Sequence, residues 1–365
     1  METSKFDLQK YLSKNIEFLV SDIIKKTFNN PKESLFMLKF AKSSKKASKI
    51  RKKEEENGLH VPPFLIASIT SQCNLHCAGC YSRSNHQTED KENKKLLSSD
   101  DWAKIFREAK ELGVNFILLA GGEPLFRLDV IKEASNIKEI MFPIFTNGTL
   151  MTDSYLNIFD KNRNLIPILS IEGNEETTDL RRGNGIYQRL TETMSLLKSK
   201  DIIFGASITV TSKNIKEVMS NEFLSDLKNR GCKAIIFVEF VPTSEEDEYL
   251  ALSDDDRLFL SNEMNNLRKT INEMIYLAFP GDEKNYGGCV AAGRGFFHIN
   301  AVGGAEPCPF SPYSDINVKD KSLREAINSK LFYIIRTEEI LNQDHKGGCV
   351  LSEKKHEIEA IIREL

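Results

Sequence analysis

The sequence lacks the features that would carry it across or into a membrane. It has no apolar run as long as the ~18 residues of a spanning helix, and its first residues have no cationic flank before an apolar core. It also lacks an excess of either charge, since its formal net charge is −3, and so gives no indication of nucleic-acid binding. Without an export signal, its seven cysteines are more typical of metal ligands or thiols than of disulfides. We therefore expect a cytoplasmic protein that binds no nucleic acid.

Six short apolar runs between residues 61 and 243 alternate with stretches of helical period. This alternation predicts repeated βα units and a parallel sheet. The predicted strands are Phe64–Thr70, Phe116–Ala120, Met141–Phe145, Leu165–Ile171, Ile203–Val210 and Ala234–Phe240. The predicted helices are Asp129–Ile137, Asp153–Phe159, Tyr187–Lys198 and Asn214–Asn229, with an earlier one capped by Ser98 or Ser99. Active sites of parallel βα folds gather where the strands end, so residues at those ends are the first candidates.

Three cysteines follow the first predicted strand in one short loop, with the spacing C-x3-C-x2-C: Cys73, Cys77 and Cys80. Three thiolates on a tight loop suit three corners of an iron–sulfur cube and leave the fourth iron without a protein ligand. Structural zinc is an alternative, although it usually needs a second Cys or His pair, and redox-active thiols are another. The spacing favours a cluster with one open iron.

Three further motifs lie at or just after the ends of predicted strands. They are Gly121-Gly-Glu-Pro124, Thr146-Asn-Gly148 and Ser170-Ile-Glu-Gly173. A Gly-Gly pair often marks an ordinary turn, but glycine also lets backbone amides and carbonyls come close to a ligand. Because the strand ends of a parallel sheet share one rim, the motifs and the cysteine loop predict a single site.

The cysteine motif together with Gly121-Gly-Glu-Pro124 closely resembles the radical S-adenosylmethionine (SAM) enzymes. The resemblance implies an α/β fold with a partial (β/α)6 barrel over residues 61–243. It implies that Cys73, Cys77 and Cys80 hold a [4Fe–4S] cluster, to whose open iron SAM binds. Gly79 stands where many members of the family have an aromatic residue or His.

The same resemblance implies SAM-binding residues. The loop of Gly121, Gly122, Glu123 and Pro124 would hold the methionyl amino group, and lesser family positions are matched by Asn147, Ser170, Glu172 and Arg182. For these last four, a role in a turn or cap is an equal alternative. The activity implied is reductive cleavage of SAM to a 5′-deoxyadenosyl radical that abstracts hydrogen from a substrate, with a reductant such as flavodoxin or ferredoxin.

A second cysteine set lies after residue 243. Cys289 and Cys308 are spaced C-x13-G-x4-C around Gly303, which resembles the auxiliary-cluster motif of SPASM and Twitch domains. In those domains a small β-hairpin carries a second iron–sulfur cluster, and here Phe296–Ile299 is predicted as a strand followed by a turn.

The resemblance implies one auxiliary cluster, with Cys349 as its third ligand. Asp344, His345 or an exogenous group is open as the fourth, and zinc or uninvolved thiols are the alternative for the trio. We expect Cys232 to be a core thiol, and His60, His86 and His298 to be satisfied or solvent-facing.

The predicted domains are a helical extension (residues 1–60), the partial barrel (61–243) and a small α+β iron–sulfur module (244–365). The last begins with an acidic helical stretch, Ser244–Leu277, and includes a helical part, Ser322–Leu341. In the extension, seven basic residues and no acid occur between Lys42 and Lys53, after several apolar residues. Residues 35–53 could touch an anionic membrane surface, or form a solvated helix face.

The sequence leaves the substrate, and any catalytic residue that acts on it, open. Oxidative modification of a peptide or protein is the first hypothesis, because auxiliary-cluster relatives often act on ribosomal peptides. A lipid or small metabolite is the second, and a non-enzymatic iron–sulfur electron carrier or scaffold is the third.

Overall fold

Seven parallel strands stand side by side in chain order, which is the arrangement that repeated βα units produce. They are β1 (Phe64–Thr70), β2 (Phe116–Gly121), β3 (Phe142–Thr146), β4 (Leu165–Ser170), β5 (Gly205–Val210), β6 (Ala234–Glu239) and β7 (Ile275–Phe279). Beyond β1, the short strand β8 (His298–Ile299) pairs parallel with it and antiparallel with β9 (Ala305–Glu306). β7 and β9 are therefore opposite edges of an open sheet. The predicted α/β partial barrel is confirmed.

The structure is a computed structural model that describes residues 31–91, 95–270, 274–279, 288–338, 340–342 and 349–365. Its helices are α1 (Pro31–Glu56), α2 (Tyr81–Ser84), α3 (Ser99–Leu112), α4 (Leu128–Asn136), α5 (Asp153–Lys161), α6 (Glu175–Arg182), α7 (Ile186–Ser199), α8 (Ile215–Val218), α9 (Asn221–Asn229), α10 (Asp254–Thr270), α11 (Leu323–Ile327), α12 (Lys330–Thr337), α13 (Val350–Glu353) and α14 (Lys355–Glu364). None of them is long and apolar enough to cross a membrane.

The helix α3 shows how local sequence sets these elements. The Ser98 hydroxyl accepts a hydrogen bond from the Asp101 N–H while the Asp101 carboxylate accepts one from the Ser98 N–H, so a capping box begins the helix where predicted. Gly113, with φ of 86°, ends it in the left-handed conformation. Between them a buried apolar stripe packs on the sheet, with the Phe106 ring 5.1 Å from that of Phe142.

The predicted helix Ser244–Leu277 is wrong at its end, because β7 begins at Ile275 and pairs with β6. Five apolar residues are too few for periodicity to separate a strand from a helix. The predicted helix Asn214–Asn229 is divided into α8 and α9. The Ser220 hydroxyl accepts from the Phe223 N–H and so caps α9.

One face of the sheet is partly open. Along the strands, side chains that point to the helices are buried, whereas many of the alternate side chains on the other face are half-buried. The half-buried set includes Ser68, Ala120, Phe145, Thr209 and Val238. These residues line the interior of the partial barrel, so a substrate has a solvent-accessible wall to meet there.

Helix α1 packs at the opposite end, where the strands begin. Met37 and Phe40 are fully buried there, and the Phe40 ring lies 5.5 Å from that of Phe116 at the start of β2. The Arg51 guanidinium donates to the Gly113 carbonyl and the Asn115 side chain. The lysines of the basic stretch remain exposed. Residues 1–30, which belong to the predicted extension, lie outside the described residues.

We expect Phe40→Ala to lower the free energy of unfolding by about 3–5 kcal/mol, because it leaves a cavity between α1 and the barrel. Leu38→Ala is the matched control: Leu38 is on the same helix but 62% exposed, and its loss should change stability by about 0.5 kcal/mol or less. Urea unfolding of both variants measures this. Equal, small effects would mean that α1 does not pack on the barrel.

Candidate active site

Hydrogen bonds between the backbone of the cysteine loop and neighbouring segments hold this loop, which connects β1 to α2, in place. The Cys73 N–H donates to the Glu89 carbonyl at 2.9 Å, and the Ala78 N–H donates to the Arg181 carbonyl at 2.8 Å. The Arg83 guanidinium donates to the Leu75 carbonyl at 2.7 Å. The chain therefore shapes this loop without help from the three thiols, which are all half-buried.

Cys73 does not resemble a reactive redox thiol. Burial, with smaller effects from the nearby Glu123 carboxylate and the other two thiols, raises the pKa of Cys73 to about 11, whereas reactive redox thiols have a lowered pKa. Across the described part of the chain, no three Cys, His, Asp or Glu side chains are grouped so as to hold one metal ion, and this is true of both cysteine sets. Structural zinc needs four donors around one ion.

Two observations fit a cluster instead. The Arg182 guanidinium lies with Nη1 3.9 Å from Cys77 Sγ, so a cation faces the sulfur that would carry negative charge as a ligand. Ser71, two residues before Cys73, has a buried hydroxyl without a hydrogen-bond partner among the described residues. An unsatisfied buried hydroxyl beside the thiols is expected where a group other than the chain completes the site.

The Gly-Gly pair lies directly against the cysteine loop. The Gly122 N–H donates to the Thr70 carbonyl at 2.9 Å and the Glu123 N–H to the Gln72 carbonyl at 2.7 Å. A Cβ at Gly122 would lie 2.2 Å from the Gln72 oxygen, and one at Gly121 would lie 2.3 Å from the Thr70 oxygen. Glycine is therefore required here for the two loops to touch, a reason that the sequence does not reveal.

Glu123 joins this loop to the next one. Its buried carboxylate accepts hydrogen bonds from the Leu125 N–H, the Thr146 hydroxyl and the Asn147 N–H. Burial raises the pKa of Glu123, and these donors offset that effect only in part. Pro124 is buried in the 3₁₀ turn Pro124–Phe126 that follows.

Asn147 links the loop after β3 to the cysteine loop. Its side-chain amide donates to Asn74 Oδ1 at 3.0 Å, and its Oδ1 accepts from the Thr149 N–H and hydroxyl. The three loops after β1, β2 and β3 thus form one connected rim, as predicted.

The third motif positions a cation. Glu172, fully buried, accepts from Arg181 Nη1 at 2.5 Å, Arg182 Nε at 2.8 Å and the Thr209 N–H at 2.9 Å. Burial alone would lower the pKa of Arg182, but the Glu172 carboxylate and the Cys77 thiolate raise it, so Arg182 stays charged. Ser170 shares a 3.1 Å hydrogen bond with Ser207. Sequence reasoning missed Arg181 and Thr209, because no motif marks them.

Phe240 fills the space beside Gly79. A Cβ at Gly79 would lie 2.6 Å from the Phe240 ring, and Gly79 has a φ of 63°. Phe240 follows β6 and is buried. An aromatic side chain therefore does cover the cysteine loop at residue 79, although it comes from a distant part of the chain.

The second cysteine set is buried and its segments meet. The Cys289 N–H donates to the Leu341 carbonyl. Leu341 lies in a 3₁₀ turn (Ile340–Asn342) that packs on α13, the helix that begins just after Cys349. The Ala292 N–H donates to the carbonyl of Pro307, which precedes Cys308. All three cysteines are buried, and these contacts bring their backbone segments next to one another.

The surroundings of Cys308 link the two cysteine sets. The Ser311 N–H donates to the Cys308 carbonyl, while the buried Ser311 hydroxyl has no partner among the described residues. The Tyr81 ring, next to Cys80, packs edge-on against Phe310 with 4.7 Å between ring centroids. The predicted hairpin is confirmed as β8 and β9, whereas Asp344 and His345 lie outside the described residues.

The remaining predictions concern single residues. Cys232 is confirmed as a core thiol: it is buried, and its S–H donates to the Ala234 carbonyl. His60 bonds to Glu55 and to the Arg294 carbonyl, and His86 is exposed, as expected. His298 is buried with two partners.

Comparison with known proteins shows which family the part of the chain that carries the rim is similar to. Residues 67–220 match the family model of the radical SAM superfamily. These residues are a radical SAM domain. A sequence relative, the AdoMet-dependent heme synthase of Methanosarcina barkeri, is 27% identical over 322 residues, which are 80% of this chain and 89% of that protein. The GTP 3′,8-cyclase of Clostridium perfringens is 25% identical over 203 residues, 53% of this chain and 60% of that protein.

Solved structures share the fold of this radical SAM enzyme. Streptococcus suis SuiB bound to S-adenosylmethionine is similar with a TM-score of 0.66 and 18% identity, over 83% of this chain and 77% of that one. The enzyme anSMEcpe with bound AdoMet is similar with a TM-score of 0.59 and 17% identity, over 83% of this chain and 98% of that one. The family match and the synthases and cyclases among the sequence relatives favour an enzyme over the electron-carrier alternative.

As a radical SAM enzyme, the protein uses a [4Fe–4S] cluster and SAM, which together supply a carbon radical that abstracts hydrogen. The chain's own residues set the conditions for this chemistry. The loop hydrogen bonds present three thiols, Arg182 offers a positive charge beside Cys77, and Phe240 covers the loop at Gly79.

We expect Gly122→Ala to lower the iron content several-fold after anaerobic reconstitution, because the added methyl group pushes against Gln72 in the cysteine loop. Gly58→Ala is the control, since a Cβ there meets nothing within 4 Å and its left-handed backbone costs only about 1–2 kcal/mol. Iron analysis and SAM titration measure both. Normal iron and normal SAM affinity in Gly122→Ala would contradict the requirement for loop contact.

Proposed function

We propose that this radical SAM enzyme oxidatively modifies a side chain of a peptide or protein, with one cluster at Cys73, Cys77 and Cys80 and an auxiliary cluster at Cys289, Cys308 and Cys349. The observation that carries the proposal is that a second set of three buried cysteines lies on segments that contact one another, and that one of these segments meets the first cysteine loop through Tyr81 and Phe310.

The chemistry explains why a second site favours oxidation. Removing a hydrogen atom from a substrate carbon leaves an unpaired electron, and forming a new double bond or cross-link requires that electron to leave. A cluster within reach of the substrate can accept it. The rings of Tyr81 and Phe310 pack against each other and so bring the loop of Cys80 next to the segment of Cys308.

The roles of the rim residues belong to the same proposal. Backbone groups of Gly121 and Gly122 and the amide of Asn147 border the cysteine loop, where SAM would lie. The carboxylates of Glu123 and Glu172 are engaged by donors of the protein, so we assign them to holding the rim and Arg182 in place. Ser170 and Pro124 border the same rim. A flavodoxin or ferredoxin would supply the electrons.

A peptide substrate is supported by the shape of the site and by proteins of the same fold. The interior face of the sheet is open and half-exposed. SuiB has been solved with its precursor peptide SuiA, and anSMEcpe with the peptide Cp18Cys, at TM-scores of 0.61 and 0.58 to this chain.

A small metabolite is the second candidate, favoured by the names of the sequence relatives, a heme synthase and a GTP cyclase. Contact with an anionic membrane through residues 35–53 belongs to this candidate. Met37 and Phe40 are already buried against the barrel, which leaves lysines and exposed leucines such as Leu38 for such contact.

The test is anaerobic incubation of the reconstituted enzyme with dithionite, SAM and a defined peptide library, followed by mass spectrometry. The proposal predicts 5′-deoxyadenosine together with a peptide that has lost two hydrogens. 5′-Deoxyadenosine without any peptide product, alongside turnover of a porphyrin or nucleotide in a parallel assay, would favour the second candidate. Sedimentation with anionic vesicles, with and without residues 1–55, tests the membrane contact.

We expect Cys73→Ala, Cys77→Ala and Cys80→Ala each to abolish 5′-deoxyadenosine formation, because each removes one of three protein ligands. Cys232→Ala is the matched control, as Cys232 is a core thiol, and should retain cleavage. Cleavage in any of the three variants would remove that cysteine from the cluster.

We expect Cys289→Ala, Cys308→Ala and Cys349→Ala to lose iron, to lose peptide oxidation and to retain uncoupled SAM cleavage. The reason is that only the auxiliary site is broken. Iron analysis, Mössbauer spectra and product assays measure this, and an unchanged iron count would exclude these cysteines as ligands.

A further inference from the structure

We propose that Ser68, His298 and Glu306 form a proton-accepting relay whose hydroxyl end faces the substrate in the barrel interior. The proposal rests on the proposed function, since an oxidative modification must dispose of a proton. No sequence motif joins these residues, and Ser68 and His298 are separated by 230 positions along the chain.

The relay is a continuous chain of short hydrogen bonds. The Ser68 Oγ lies 2.7 Å from His298 Nε2, and His298 Nδ1 lies 2.7 Å from Glu306 Oε2. Nδ1 therefore faces the carboxyl group and Nε2 faces the Ser68 hydroxyl, and the relay uses the tautomer in which Nδ1–H donates to Glu306 while Nε2 accepts from Ser68. This is the connectivity by which a carboxylate orients a histidine base in hydrolases.

The buried end of the relay is fixed in place. His298 and Glu306 are 1% and 2% exposed. The Asn300 amide donates to Glu306 Oε1 at 2.6 Å, and the Gln87 amide donates to both carboxylate oxygens at 3.1–3.2 Å. These bonds keep the carboxylate directed at the imidazole. An imidazolium formed at His298 would be stabilised by this neighbouring negative charge.

The other end opens into the interior. Ser68 is half-buried on β1, between the fully buried Ala67 and Ile69, which face the helices. Its neighbour across the sheet is Ala120, the residue before Gly121. His298 pairs in register with Ile66 and so lies on the same face as Ser68. The hydroxyl therefore lies on the inner wall, two residues before the rim begins at Thr70.

The proton has a defined place in the reaction. Conversion of H–C–X–H in a side chain to C=X removes one hydrogen atom, one electron and one proton. The hydrogen atom leaves to the SAM-derived radical, the electron to an oxidised iron–sulfur cluster, and the proton passes from X–H through Ser68 to His298 Nε2. Ser68 touches the substrate, whereas His298 and Glu306 are positioning residues that act through it.

Ser68→Ala is the decisive variant, because a half-exposed hydroxyl can be removed without leaving a buried charge unpaired. With the library peptide that the wild type oxidises most, we expect Ser68→Ala to keep its melting temperature, iron content and 5′-deoxyadenosine formation. Peptide oxidation should fall at least about 10-fold, the lower range of acid–base catalysis being ~10²-fold. Ser68→Thr, which keeps the hydroxyl, should recover most of it.

Ser135→Ala is the matched control, since the Ser135 hydroxyl is also poorly exposed but donates to the Lys132 carbonyl on α4. Unchanged peptide oxidation in Ser68→Ala would overturn the relay. So would equal losses of 5′-deoxyadenosine and product, because these indicate a structural role.

A second measurement needs no substrate and separates the relay from the proposed function. In oxidised holoenzyme labelled with ¹⁵N-histidine, the relay predicts a neutral His298 protonated at Nδ1, with an Nε2 resonance that shifts in Ser68→Ala. A proton on Nε2 of neutral His298 would overturn the relay even if peptides are oxidised. If no peptide is oxidised, the proposed function fails while this spectrum still decides the relay.

Discussion

The buried carboxylate of Glu123 joins the loops on which the site depends. Its side chain ties the β2 loop to the β3 loop, and its own N–H ties the β2 loop to Gln72 in the cysteine loop. Three polar donors compensate for the burial of this group, and leaving them without it would be costly. Because the two glycines beside it have no side chains, the backbones can approach closely enough to make these bonds. Placement of the thiols follows from that contact.

The same rim also contains a buried group of charged side chains. Glu172 holds Arg181 and Arg182 in the protein, and Arg182 in turn faces Cys77. Such a buried pair is weak evidence for stability, since desolvation offsets much of the attraction. The pair positions Arg182, a permanent cation, beside the Cys77 sulfur, which would carry negative charge as a cluster ligand. On the other side, Tyr81 and Phe310 connect this loop to the auxiliary cysteines by apolar contact.

Much of the fold could be predicted from the sequence, because its signals are local. The six predicted strands begin and end within two residues of β1 to β6, and of the two predicted cap candidates, Ser98 and Ser99, the structure has Ser98. The motifs at the strand ends share one rim since parallel strands end together. β7 was missed because its five residues have no distinguishing period.

The rest depends on contacts between residues far apart in the chain. Phe240 covers Gly79 from the end of β6, and His298 reaches Ser68 only because β8 adds to the edge of the sheet beside β1. Each of these residues alone resembles an ordinary core residue.

The central claim, that three thiolates leave one iron open to SAM, is tested most directly by electron–nuclear double resonance of the dithionite-reduced protein with SAM labelled at its amino nitrogen and carboxylate oxygens. The account predicts hyperfine coupling of these nuclei to the cluster, and an intact cluster without such coupling would contradict it.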